Sequence, residues 1–141
     1  MDTTPIVARL SVIANSVNAL KELQKLTFDE FATDYILNAS VERHFQVAIQ
    51  AALDIGSMLL TERSAQVPAN YADVFTELAS LGILPPDFAQ KLVGMAKFRN
   101  VLVHLYLEID LKKVYYYLQN DLADFERFAT YISKFIAESR S

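Results

Sequence analysis

The stretch Lys97-Phe98-Arg99-Asn100-Val101-Leu102-Val103-His104-Leu105-Tyr106 gathers four polar groups of chemical interest: Arg99, Asn100, His104 and Tyr106. Histidine is the side chain whose ordinary pKa suits proton transfer near neutrality. Arginine carries a permanent charge on a planar fork that matches the oxygens of a phosphate. Together they suit metal-free phosphodiester cleavage. His104 would act as general base or acid on a ribose hydroxyl, and Arg99 would meet the charge developing on the phosphorane. Asn100 would orient the imidazole or hold a phosphate oxygen. On spacing alone, a half-buried histidine and a surface arginine account for the same residues.

Helical geometry sharpens this reading. At about 100° per residue, Phe88, Leu92 and Met95 define an inward stripe, and its continuation lands on Arg99, Leu102 and Tyr106. Asn100 and His104, four apart, share the adjacent face. An arginine therefore stands where the pattern calls for an apolar residue. Burying that charge unpaired would cost several kcal/mol or about that order. Arg99 must face a carboxylate, a second subunit or a solvated cleft.

The elements around this segment read as helices. Thr4-Pro5 offers a cap and an early proline, after which Ile6, Leu10, Ile13, Val17, Leu20 and Leu23 step by three or four. Thr27 to Glu30 has capping-box spacing and predicts a short helix through about Leu37. Asn38 or Ser40 would cap the next segment. Its Val41, Phe45, Ala48, Ala52, Ile55 and Leu59 keep a helical period, and Ile49, Leu53 and Leu60 widen the stripe. Ser64–Ala69 breaks the pattern, a short helix near Asp73–Leu81 ends at Gly82, and Pro85-Pro86-Asp87 starts the motif helix. Asp110 would cap one last long helix with Leu111, Val114, Leu118, Leu122, Phe125, Phe128, Ile132 and Phe135 inward. No segment alternates with period two. The expectation is an all-α bundle of four long helices plus one or two short ones, one domain over residues 1–137, with Glu138–Ser141 frayed.

Composition excludes several classes. A chain of 141 residues that is 52% hydrophobic and 21% charged is not a disordered tail. The absence of cysteine removes thiol nucleophiles, disulfides and thiolate zinc sites. His44 and His104 lack ligand-type spacing, so no metal or cofactor is expected. No signal peptide or membrane span is legible, which fits a cytoplasmic protein. The net charge of −4 argues against a general nucleic-acid coat but leaves room for a local basic site.

Arg99-x4-His104-x-Tyr106 resembles the Arg-x4-His-x-Tyr motif of HepT-like toxins, a branch of the HEPN superfamily of helical bundles. Glu42-Arg43-x-x-Gln46, Ala48-x-Gln50 and Asp54-Ile55 also resemble that branch, as do Tyr71-x-Asp73 and Leu81-Gly82-Ile83-Leu84. The likeness runs from Val41 to Phe125. It implies a metal-independent ribonuclease toxin, dimeric, with the motif helices meeting across the interface. It also implies a minimal nucleotidyltransferase antitoxin of the MNT type that transfers AMP groups to the motif tyrosine, here Tyr106. Arg99 and His104 would inherit the catalytic roles, with Asn100 and Tyr106 supporting. Gln50 departs from the acidic residue expected there in many relatives.

Other positions carry weaker signals. Glu42, Gln46, Gln50 and Asp54 step by four along one helix, either as its solvated edge or lining the cleft, with Glu42 or Asp54 pairing Arg99. His44 reads as a plain surface histidine. In Lys112-Lys113-Val114-Tyr115-Tyr116-Tyr117, consecutive tyrosines on a helix point three ways, so a base-stacking platform is the lesser reading. Two alternatives to a ribonuclease stay open: a non-catalytic HEPN-like module that binds a nucleotide or a nucleotidyltransferase, and a structural helical adaptor.

Overall fold

The computed structural model describes residues 1–63, 65–103 and 110–139. Among them the chain forms seven helices: α1 (Thr4–Leu23), α2 (Phe28–Thr33), α3 (Tyr35–Glu62), α4 (Ala72–Ser80), α5 (Pro86–Val103), α6 (Leu111–Asn120) and α7 (Leu122–Ser139). The long ones are α1, α3, α5 and α7, and three short ones join them. The expected all-α bundle is what the chain builds.

Local chemistry sets most of the boundaries. Thr27 caps α2 with a complete capping box, its hydroxyl accepting from the Glu30 amide while the Glu30 carboxylate accepts from the Thr27 amide. Gly82 follows α4 at φ 78°, a conformation open to glycine. There the Gly82 amide bonds the Ala79 carbonyl at 3.0 Å and the Ile83 amide bonds the Leu78 carbonyl at 3.0 Å, a full Schellman closure. Asp110 caps α6 through the amides of Lys112 and Lys113. A side chain at Gly56 would run into Val74, so the glycine permits the close approach of α3 and α4.

Four boundaries differ from expectation, the first being that α2 ends at Thr33 rather than near Leu37. The cap position of α1 is Thr3 rather than Thr4. Helix α3 starts at Tyr35, capped by Asp34, whose carboxylate accepts from the Ile36 and Leu37 amides at 3.0 and 3.2 Å. Asn38 instead lies buried within α3, its amide donating to the Phe31 carbonyl of α2. The expected last helix is two helices, broken at Asp121, because Asn120 and Asp121 favour local side-chain and turn bonding over helix continuation.

Helix α3 is the axis of the bundle, packed by α1, α2, α4, α5 and α6, while α7 closes against α1 and α6. Its Phe45, Ile49, Leu53, Ile55 and Leu59 are at most 2% exposed. Burying each such side chain contributes about 1.5–3 kcal/mol relative to exposure. This core fixes the rotation of α3 and α5 about their own axes. That rotation decides where the polar residues on their other faces point.

Candidate active site

Helix α5 delivers Arg99 as the stripe requires. Phe88, Leu92, Met95 and Leu102 are buried, whereas Arg99 is half-buried at the wall of an open groove. The groove encloses about 490 Å³ between α1, α3 and α5. Arg9 from α1, Arg43, Gln46, Gln50 and Asp54 from α3, and Arg99 from α5 supply its polar lining. Arg99 is thus the arginine facing a solvated cleft.

Its partners form a relay across three helices. Arg99 Nε donates to Gln50 Oε1 at 3.0 Å. Gln50 Nε2 donates to Asp54 Oδ1 at 2.8 Å, and Asp54 Oδ2 pairs with Arg9 Nε at 3.4 Å. The Tyr71 ring lies 4.8 Å from the Arg99 guanidinium carbon, a cation–π floor. The amide of Gln50 therefore orients Arg99 without adding negative charge to it. Nη1 makes a long 3.4 Å contact with Asn100 Oδ1, and Nη2 has no partner among the described residues. Among the described residues, no hydrogen-bond partner other than Asn100 occupies the outer edge of the fork.

The sequence-derived candidates divide accordingly. Arg99 lines the groove, and Asn100, exposed and not among the lining residues, touches Arg99 only through the 3.4 Å contact with Nη1. Asp54 lines the groove and pairs with Arg9, while the contact with Arg99 belongs to Gln50. Glu42 is not among the lining residues. It is half-buried, and burial pushes its carboxyl above the ordinary value. His104 and Tyr106 lie outside the described residues, and Val103 is the last residue of α5. His44 is half-buried.

Arg9 and Tyr71 as partners of the site were not picked out from the sequence. Arg9 sits on an ordinary amphipathic helix, with no local signal. Tyr71 entered only through its place before Asp73 in a familiar block. The tyrosine run is largely structural: Tyr115 bonds the Leu26 carbonyl at 2.7 Å, Tyr117 stacks on Phe98, and Tyr116 is 62% exposed. No group of three or more histidines, aspartates or glutamates among the described residues is placed to hold a metal. No helix among them is long and apolar enough to cross a membrane.

Comparison with known proteins adds a second line of observation. The model of the family described as ribonuclease HepT-like matches residues 13–132. An mRNA nuclease HepT from Shewanella oneidensis is 30% identical over 84% of this chain and 91% of its own length. A tRNA nuclease HepT from Aphanizomenon flos-aquae is 26% identical over 93% of this chain and 89% of its own. A solved structure of a tri-AMPylated Shewanella oneidensis HEPN toxin in complex with an MNT antitoxin superposes with a TM-score of 0.86 at 26% identity, covering 95% of this chain and 99% of that one.

Proposed function

Because the chain belongs to the ribonuclease HepT-like family, we propose that it is the ribonuclease toxin of a toxin–antitoxin pair, cutting RNA without a metal through Arg99 and His104. The ribonuclease and toxin–antitoxin character is that of its relatives, two of them nucleases and one a HEPN toxin held by an MNT antitoxin. The observation that carries the residue assignment is the state of Arg99. It is fixed through Nε by a neutral amide and lines an open groove, with only the long Asn100 contact on the rest of its fork among the described residues.

The chemistry follows from the two side chains. The ribose 2′-oxygen attacks the adjacent phosphorus and loses its proton to a base, while the 5′-oxygen leaves and takes up a proton. His104, five residues beyond Arg99 in the sequence, serves one of these transfers. Arg99 stabilises the added negative charge on the phosphoryl oxygens, where its fork bonds two oxygens at once. The products are a 2′,3′-cyclic phosphate and a free 5′-hydroxyl. Asn100 supports by holding Arg99 or a phosphate oxygen.

Assembly and control complete the reading. The chain acts as a homodimer in the cytoplasm, the two motif segments facing across a two-fold axis. Its partner is a nucleotidyltransferase of the MNT type, and the modified position is Tyr106. An adenylyl phosphate there, seven residues beyond Arg99 in the sequence, would compete for the guanidinium fork meant for RNA.

The test is cleavage of a defined RNA in EDTA. Wild type should cut it, leave cyclic phosphate ends and spare the matching DNA. His104→Ala should lose ~10²–10⁴-fold in rate, the scale for removing a general acid or base. Equal cleavage by His104→Ala would move the chemistry elsewhere, and the absence of cleavage by wild type would favour the non-catalytic module.

A further inference from the structure

Arg43 projects from α3 into the same groove as Arg99, and nothing in the reaction just described uses it. The groove's lining holds three arginines and one aspartate, so it is positive although the chain as a whole carries −4. The three cations are not equivalent. Arg9 is committed to Asp54 at 3.4 Å and to the Pro5 carbonyl at 3.2 Å. Arg99 is oriented by Gln50. Arg43 is exposed and has no hydrogen-bond or ion-pair partner among the described residues.

Spacing gives this second cation a meaning. Arg43 precedes Gln50 by seven residues, about 10 Å along the α3 axis at 1.5 Å per residue. Gln50 marks the position of Arg99. Arg43 and Arg99 thus line one groove, with Arg43 offset by about 10 Å along α3 from the residue that holds Arg99. A strand of linked phosphates presents charges at successive positions and engages both. We propose that Arg43 binds a phosphate flanking the cleavage point of the RNA strand whose scissile phosphate lies at Arg99. The proposal rests on the ribonuclease reading above, and it accounts for how an acidic protein holds a polyanion. Arg43 takes no part in proton transfer, so it acts on substrate affinity and placement.

The experiment compares wild type, Arg43→Ala and Arg43→Lys on a short RNA oligonucleotide over a series of NaCl concentrations. Arg43→Ala should raise KM about tenfold while kcat stays within about twofold of wild type. Its log–log salt slope should flatten by about 0.7, the value for one contact to a single strand. Arg43→Lys should keep most of the slope, because the charge is retained. On a dinucleotide, which has only the scissile phosphate, wild type and Arg43→Ala should cleave alike.

An unchanged KM and salt slope in an Arg43→Ala protein that cleaves RNA would overturn the proposal while leaving the ribonuclease reading intact. So would an unchanged slope accompanied by weaker capture of the nucleotidyltransferase, which would make Arg43 a protein contact. If wild type fails to cleave, the ribonuclease reading falls, and fluorescence anisotropy of the uncut oligonucleotide decides on Arg43 by the same slope.

Discussion

Helices α3 and α5 each present two opposed environments, and adjacent residues fall on different sides. Ile49 and Phe98 enter an aromatic region, while Gln50 and Arg99, their immediate successors, meet in the arginine groove. The aromatic side holds a cavity of about 180 Å³ walled by Phe45, Ile49, Met95, Phe98 and Phe125, with Lys91, Tyr117, Asp121 and Asp124 at its rim. Phe98 stacks on Tyr117 at 4.3 Å between ring centroids and meets Phe45 edge-on at 5.5 Å. On the groove side, hydrogen bonds and one ion pair at half-exposed positions replace this packing. The difference teaches a division of labour. Apolar burial locks the rotation of the helices, and polar contacts of small net energy aim the side chains that rotation delivers.

The largest expected effect tests the locking half. Phe98 is 4% exposed, and truncation to alanine removes both ring contacts. Phe98→Ala should destabilise the fold by about 3–5 kcal/mol, lowering the melting temperature on the order of 10 °C or more. Arg99→Ala, one residue away, should abolish most RNA cleavage and leave the melting temperature within a few degrees. Differential scanning calorimetry beside a cleavage assay separates the two. Equal melting losses for both variants would mean that the two faces are not distinct.

The apolar half of this division was readable in the sequence, and the polar half only in outline. The periods of Phe88, Leu92, Met95 and Leu102 place those residues correctly in the core because a helix repeats its faces locally. Arg99 stood out for breaking that period, and of the carboxylate, second subunit or solvated cleft it called for, a solvated cleft is there. What it bonds was not legible. Gln50 is 49 residues away, and the only pairing the sequence suggested for Arg99, in one of two readings of the polar stripe, was with the carboxylate of Glu42 or Asp54. A tertiary contact between two helices depends on their register across the bundle, which no local pattern records. The starts of α1 and α3 and the break at Asp121 were missed for a smaller reason. Thr3, Asp34 and Asp121 compete with neighbouring cap-forming residues a few positions away, and only packing selects among them.

An intermediate effect tests the aiming half. Gln50 holds Arg99 Nε and is itself held by Asp54. Gln50→Ala should free the guanidinium and lower kcat/KM about tenfold, the equivalent of one hydrogen bond to a charged group. Asp54→Ala should lose less, because it acts on Arg99 only through Gln50. In a double-mutant cycle, Gln50→Ala combined with Arg99→Ala should be no worse than Arg99→Ala alone. Full additivity of the two losses would show that Gln50 contributes by contacting RNA itself rather than by orienting the arginine.

The smallest effect belongs to the rim of the aromatic cavity. Burial raises the Asp121 carboxyl above its ordinary value of 3.8, nearby Asp124 adds to the rise, and Lys91 partly offsets it. Lys91 is itself paired with Asp124 at 3.2 Å, so its charge is shared. The sign follows from linkage. An acid whose pKa is raised on folding favours the folded state while protonated, and that contribution is lost as pH rises through its folded value. Asp121→Asn keeps the neutral form at every pH. It should therefore raise the melting temperature at pH 7 by about one to two degrees, discounted for the solvent exposure of the site. Well below pH 3.8 the variant and wild type should approach the same melting temperature, because the side chain is then neutral in both the folded and unfolded states. RNA cleavage should be unaffected, since Asp121 lines the cavity and not the groove. A lower melting temperature for Asp121→Asn at pH 7 would reverse the sign. It would mean that the ionised carboxylate is held by a cation, and the rim would then resemble the groove in using charge to fix structure.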